Sequence, residues 1–325
     1  MAKRSHSRWS QRAARMGRFF LAAAGVVSGV ALAFAVALLL VTRWLVAHFS
    51  TLSPDRRRPM LKTPRDYGLT SKTVRVKAED GLLLRGWYMP GDNGATVMVQ
   101  HGTPGGRQDG LVEAAFFNKH GYNVLLGSFR AHDDCGGLLV SFGLHEMKDC
   151  RAWHTYLLQR QEVDPERIGI FGKSMGGTVA VHYAAENPSI AAVAAASAPA
   201  DMASMLKHYL RSELHVPGWI VPVVAPLLIF WADRRIGCRA GQLGALPYAG
   251  QVSPRPLLII QGGKDNHVPW QHGRLIFKAA GEPKEFWLVP EANHINFEQY
   301  RPAEYERRVL AFFDRYLLAK REATS

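Results

Sequence analysis

Apolar and polar positions fall into three regimes along the 325 residues. The first is an unbroken apolar run, "FFLAAAGVVSGVALAFAVALLLV", Phe19 to Val41, without one ionisable side chain. As a helix it spans roughly 34 Å, enough for a hydrocarbon layer of about 30 Å. A cleaved signal peptide is the alternative, but its apolar core is usually about 7 to 15 residues and "LVAHFS" is a poor cleavage site. The run therefore predicts a transmembrane helix over 19–42, preceded by a basic tail, 1–18. The second regime, "STLSPDRRRPMLKTPRDYGL", has no apolar period and is rich in proline and arginine. It reads as a juxtamembrane linker, 43–72, whose arginines are equally suited to anionic headgroups.

From Thr73 onward, short apolar runs alternate with amphipathic segments. "TVRVKAEDGLLLRGWYMP" is a pair of alternating runs broken at Asp80-Gly81, a hairpin signal. "ATVMVQHG", "YNVLLGSF", "RIGIFGKS", "IAAVAAASAP", "PRPLLIIQGGKD" and "KEFWLVPEANH" are continuous apolar runs, as buried strands require. Helical stretches lie between them at Leu111 to Lys119, about Glu146 to Gln159, "MGGTVAVHYAAEN", and Ala303 to Leu318. The alternation predicts an α/β domain over 73–325: a mostly parallel sheet with helices on both faces and antiparallel strands from the opening hairpin at one edge.

The alternation is interrupted at about 200–250. "LHVPGWIVPVVAPLLIFWA", Leu214 to Ala232, is almost wholly apolar but contains Pro217, Pro222 and Pro226. Three prolines make a poor second span. A helical lid over a site is the preferred reading, with core-covering helices and a membrane-embedded segment as the alternatives.

The formal charge of +13 suggests a polyanion partner only until it is mapped. Eleven of those charges belong to residues 1–18 and 43–72; the rest of the chain carries 27 basic and 25 acidic residues. No basic face for nucleic acid follows. Arg4, Arg8, Arg12, Arg15 and Arg18 precede the span and only Arg43, Arg56 and Arg57 follow at comparable distance, which favours a cytoplasmic N-terminus and a domain on the opposite side. Gly25 and Gly29 have the spacing that lets two membrane helices approach, a route to a weak dimer. Cys135, Cys150 and Cys238 cannot all pair, so no disulfide framework exists.

The chemistry centres on "FGKSMGG". Ser174 stands between Gly172 and Gly176, after an apolar strand and before a helix, the setting of a nucleophile elbow. A serine hydroxyl is a weak nucleophile and needs a base, which needs an orienting acid. Asp265 follows one buried strand and His294 the last, so both should emerge at the same sheet edge as Ser174. Asp201 is a competing acid; His208, His215 and His272 read as solvated side chains. "QHGTPGG" brings Gly102 and the Thr103 N–H to that edge, where it and the Met175 N–H could hold an oxyanion. A tight turn that stabilises the sheet edge is the plainer reading of His101-Gly102. Lys173 has no derivable role.

"HGTPGG", "GKSMGG", "GGKDNHVP" and "ANH", in this order, resemble the α/β-hydrolase superfamily, in its serine-hydrolase branch near the prolyl-oligopeptidase-like and serine-aminopeptidase-like groups. The resemblance covers about Val74 to Leu318. It implies Ser174 as nucleophile, Asp265 as acid, His294 as base and an oxyanion hole near Thr103 and Met175. "FRAHDDCGG" departs from the Asp-x-Arg-Gly-like turn of many relatives. The expectation is a membrane-anchored serine hydrolase acting on carboxylic esters or thioesters, with a small acyl or lipid-like substrate and neither metal nor organic cofactor. A peptidase or amidase of the same fold and a catalytically silent binding scaffold are the alternatives.

Overall fold

The computed structural model describes residues 3–319, with side chains from Arg15 onward. Eight strands make one sheet: β1 (Lys72–Lys77), β2 (Leu83–Met89), β3 (Thr96–Gln100), β4 (Asn123–Gly127), β5 (Ile168–Lys173), β6 (Ile190–Ala196), β7 (Leu257–Gly262) and β8 (Lys284–Val289). Their spatial order is β1-β2-β4-β3-β5-β6-β7-β8. β2 runs antiparallel to both β1 and β4, and every other pairing is parallel. The hairpin thus contributes one reversed strand, because β1 turns back into the direction of the rest.

Helices explain why the central strands read as unbroken apolar runs. β3, β4, β5 and β7 are buried at every position. Met98 joins the core under α3 (Glu146–Leu158) and α4 (Met175–Glu186), while Val97 and Val99 join the opposite core under α2 (Leu111–Lys119) and the late helix Pro302–Phe313. Successive side chains of one strand therefore fill two cores, and a polar side chain at any of these positions is taken out of water.

Between β6 and β7 the chain forms α5 (Met202–Ser212), α6 (Val221–Ile236) and the short α7 (Leu246–Ala249). The prolines do not prevent α6. Pro222 lies in the first turn, where the N–H has no helical partner, and only Pro226 removes a bond inside the helix. Leu210, Val221, Ala225 and Leu228 form a small separate core here.

The N-terminal helix, α1, runs from Lys3 to Phe49, seven residues beyond the predicted end of the span. Of the tail expected over 1–18, Met1 and Ala2 lie outside the described residues. The stretch Arg15–Phe49 is long and apolar enough to cross a membrane, and among the described residues nothing buries its most apolar part. Its last turns differ: Thr42 is buried, and Leu45 and Val46 pack on the α5–α6 core. The chain after α1 lies on the domain. Leu52 N–H donates to Leu138 O at 2.8 Å, and Arg57 reaches the carbonyls of Asp133, Cys135 and Gly137 at 3.0, 2.8 and 2.8 Å. Arg57 is thereby committed to protein carbonyls rather than to headgroups.

Candidate active site

β5 ends at Lys173 and α4 begins at Met175, leaving Ser174 alone in the turn with φ +53° and ψ −120°. A non-glycine residue held there costs on the order of 1–3 kcal/mol, and the surroundings must enforce it. They do so through two glycines. A Cβ on Gly172 would stand 2.1 Å from Gly176 O, and one on Gly176 would stand 2.4 Å from Gln100 O. Neither backbone atom can swing aside. At Gly102 the nearest atom is Ser174 Cβ at 3.0 Å, a tight contact but not a collision.

Asp265 follows β7 with its side chain fully buried. Its Oδ1 accepts the N–H groups of His267 and Val268 at 3.0 and 2.8 Å, and Oδ2 accepts Gln261 Nε2 at 3.2 Å and His294 Nδ1 at 2.8 Å. A carboxylate accepting from Nδ1 puts the proton of a neutral imidazole there and leaves Nε2 as the basic atom. His294 remains one-fifth exposed. Among the described residues Ser174 Oγ makes no hydrogen bond, so the serine–histidine contact is open in this conformation. Such bonds are often long without substrate and tighten when it binds.

Asp201 is occupied elsewhere: it caps α5, accepting Ser204 N–H at 2.7 Å. The histidines expected to be solvated divide. His215 is exposed, but His272 is buried, accepting Ala200 N–H on Nδ1 at 3.0 Å, and His208 Nε2 lies 2.6 Å from Asn266 O. Tertiary packing of α8 (Gln271–Ala279) and α5 around the Asp265 loop buries His272 and gives His208 a partner, and no local pattern signals it.

The loop after β3 is held by two histidines. His101 Nδ1 donates to Gly102 O at 2.7 Å, and its Nε2 accepts Phe129 N–H at 3.0 Å. Gly102 O and Thr103 N–H belong to one planar trans peptide, so fixing the carbonyl aims the N–H the opposite way. His132 Nδ1 donates to Arg130 O at 2.8 Å, which leaves Nε2 to accept the Thr103 hydroxyl at 2.9 Å. Burial, then His101 beside it, pushes the His132 pKa down to about 3, so the ring stays neutral. Among the described residues neither Thr103 N–H nor Met175 N–H has a partner.

The "FRAHDDCGG" loop supplies the remaining clamps. Asp133 Oδ2 accepts Arg107 N–H at 3.0 Å and the Ser128 hydroxyl. Arg107 Nη1 reaches Asp134 Oδ1 at 2.8 Å, and its guanidinium lies over Trp87 at 4.8 Å. Burial opposes the charge of Arg130, but its hydrogen bonds to Asp149 and Asp80 outweigh that and raise its pKa. His132, Asp133 and Arg107 were invisible to motif reasoning, because their partners are distant in sequence.

Lys173 turns away from Ser174 to the opposite face of the sheet. Its Nζ is buried, 2.6 Å from Glu113 Oε1 and 3.0 Å from Asp109 O. Tyr305 donates to the same Glu113 oxygen at 2.5 Å. Burial works against the ammonium, and the charges of Glu113 and Glu298 more than offset it, raising the Lys173 pKa. The ion pair welds the strand under the elbow to α2 and to the helices that follow His294.

An eight-stranded sheet with one reversed strand, a serine on a strained strand-to-helix turn and a buried Asp–His pair define an α/β-hydrolase of the serine-hydrolase branch. The sequence profile of the prolyl oligopeptidase family matches residues 113–320, and the chain belongs to that family. Uncharacterized protein Rv2307c of Mycobacterium tuberculosis is 32% identical over 69% of this chain and 72% of its own length. Uncharacterized protein YfhR of Escherichia coli O157:H7 is 27% identical over 75% of this chain and 80% of its own. The solved esterase Pf2001 of Pyrococcus furiosus superposes with a TM-score of 0.68 at 28% identity, covering 82% of this chain and 98% of that one.

Proposed function

We propose that this hydrolase is a membrane-anchored serine esterase working through an acyl-enzyme. The observation that carries the reading is the 2.8 Å bond from His294 Nδ1 to the buried Asp265, at the sheet edge where Ser174 sits on its strained turn. His294 Nε2 takes the Ser174 proton as Oγ attacks the acyl carbon, and Asp265 holds the ring and stabilises the imidazolium. The N–H groups of Thr103 and Met175 take the negative charge that develops on the carbonyl oxygen. The imidazolium returns its proton to the leaving alcohol or thiol; water, activated the same way, then releases the acid and frees Ser174.

Esters and thioesters are preferred because no acidic pair for a peptide amino terminus is legible in the chain, and because Pf2001 is described as an esterase. The name of the matched family favours the second reading, a peptidase or amidase using the same three residues. The two separate on substrate. Purified full-length protein should hydrolyse p-nitrophenyl butyrate and leave aminoacyl p-nitroanilides intact, with turnover abolished in Ser174→Ala. Anilide cleavage without ester cleavage would favour the peptidase.

The anchor is supported by the end of α1. A cleaved leader would take with it Leu45, Val46 and Thr42, which are packed into or buried by the folded domain. The arginine bias favours an N-terminus in the cytoplasm and the domain on the other side. Gly25 and Gly29 are exposed; among the described residues nothing beyond the helix's own backbone lies within 4 Å of an added Cβ, and they offer a face for a weak dimer. In intact spheroplasts, external protease should digest the domain; protection would reverse the orientation.

A further inference from the structure

α6 has two apolar faces, and the fold covers only one. Val221, Ala225, Leu228 and Ile236 point inward and are buried. Pro222, Val223, Pro226 and Phe230 recur about once per turn on the other side and are exposed, as is Trp219 at 78% just before the helix. A surface of contiguous apolar side chains on a helix whose inner face is already filled requires a partner.

The neighbour of α6 identifies that partner. Leu45 and Val46 of α1 pack on its core, the Arg43 guanidinium lies 5.6 Å from the Trp231 ring, and Arg235 donates to the hydroxyls of Ser50 and Thr51 at 2.7 Å each. These contacts fall on the turns of α1 just beyond Val41, where its apolar run ends, and on Ser50 and Thr51 directly after the helix. With α1 across a bilayer, those turns lie at the boundary between acyl chains and headgroups. α6 is thus held at the depth where an amphipathic helix buries its apolar face roughly 5–10 Å into lipid. Charge agrees: exposed Lys207, Arg211, Arg234, Arg235 and Arg239 rim the helical hairpin that α5 and α6 form, and Arg234 folds over the Phe230 ring at 4.4 Å. The hairpin also reaches the site, through the His208–Asn266 bond and an approach of Glu213 to His267 at 3.6 Å, both beside Asp265.

We propose that the outer face of α6, with Trp219, is seated in the lipid of the membrane that α1 crosses, so that the site works on acyl esters residing in the bilayer. This rests on α1 as a retained anchor and on Ser174 as nucleophile. The hairpin is then a membrane-bound wall of the site rather than a flap in water.

Nitroxide labels on Val223→Cys and Phe230→Cys, in full-length Cys238→Ser protein reconstituted into phosphatidylcholine/phosphatidylglycerol vesicles, test the contact. Collisions with oxygen should exceed those with a water-soluble nickel chelate at both sites, as for a label at Val30→Cys, whereas one at Glu166→Cys should show the reverse. Chelate-dominated collisions at 223 and 230 would overturn the proposal. So would shielding from both reagents with dipolar broadening, which would mean that a second copy covers α6. An aqueous label at Val30→Cys would remove the anchor and the proposal together. In a separate arm, Phe230→Asp should lower turnover of a long-chain ester carried in vesicles by about tenfold while leaving soluble p-nitrophenyl butyrate unchanged; equal loss on both would contradict a role in lipid access. If the unlabelled protein cleaves neither ester, the hydrolase reading falls while the collision data still decide the lipid contact.

Discussion

His132 Nε2 accepts the hydroxyl of Thr103 at 2.9 Å, tying the loop after β4 to the loop that carries a proposed oxyanion donor. The donor itself is a backbone N–H, which no side-chain substitution removes. Thr103→Val should therefore act only through looser positioning. Loss of a whole oxyanion donor costs about 100- to 1000-fold, so a loss of about tenfold in kcat with little change in KM is expected for p-nitrophenyl butyrate. A rise in KM at constant kcat would instead assign the loop to substrate binding.

The same histidine gives the fold a pH dependence of definite sign. Its folded pKa, about 3, lies below the value near 6.5 of an unfolded chain. Above pH 6.5 the ring is neutral in both states and its contribution is constant. As pH falls from 6.5 toward 3 the unfolded state takes up a proton that the folded state refuses, and stability drops by up to a few kcal/mol. Other groups titrate in this range, so the difference between wild type and His132→Gln isolates the ring. The wild-type advantage in thermal midpoint should be largest at pH 7 to 8 and shrink toward pH 4; an advantage independent of pH would mean that the buried ring is not the source.

Lys173 should matter for folding and not for chemistry. Lys173→Met leaves the buried Glu113, with the half-buried Glu298 beside it, without a cation, which costs about 3–5 kcal/mol when one partner of a buried pair is removed. Lys173→Met combined with Glu113→Gln should recover part of that loss. Urea unfolding of the two single variants and the double variant measures the coupling, and strict additivity would show that the pair does not interact.

The elbow glycines should rank by what a methyl group meets. Gly172→Ala and Gly176→Ala drive Cβ into backbone carbonyls at 2.1 and 2.4 Å, and neither variant should yield stable protein. Gly102→Ala meets Ser174 Cβ at 3.0 Å as its nearest atom and should fold, with reduced turnover because it crowds the Ser174 side chain. Expression yield and thermal midpoint give the order; a stable Gly176→Ala would deny the elbow its tight packing.

Much of this arrangement was legible because strand ends announce themselves. Ser174, Asp265 and His294 each follow an apolar run, and a parallel sheet brings such ends to one edge. The bond from Asp265 to His294 follows from topology plus chemistry. What stayed hidden depends on meetings across long stretches of chain. Glu113 is met by Lys173 and by Tyr305 from distant parts of the chain, His132 finds Thr103 from the next loop, and His272 is buried by helices packed around it. The end of α1 is hidden for a related reason. Apolar character stops at Val41, but helix continues to Phe49 because α6 supplies tertiary contacts there that composition alone does not reveal.

The most direct test of the central claim is covalent labelling of full-length protein with a fluorophosphonate, located by peptide mass spectrometry. One adduct per chain on the peptide containing Ser174, absent from Ser174→Ala and strongly slowed in His294→Ala, is the predicted result. Labelling that persists in Ser174→Ala, or folded wild-type protein that takes up no label, would contradict the assignment of Ser174 as the nucleophile.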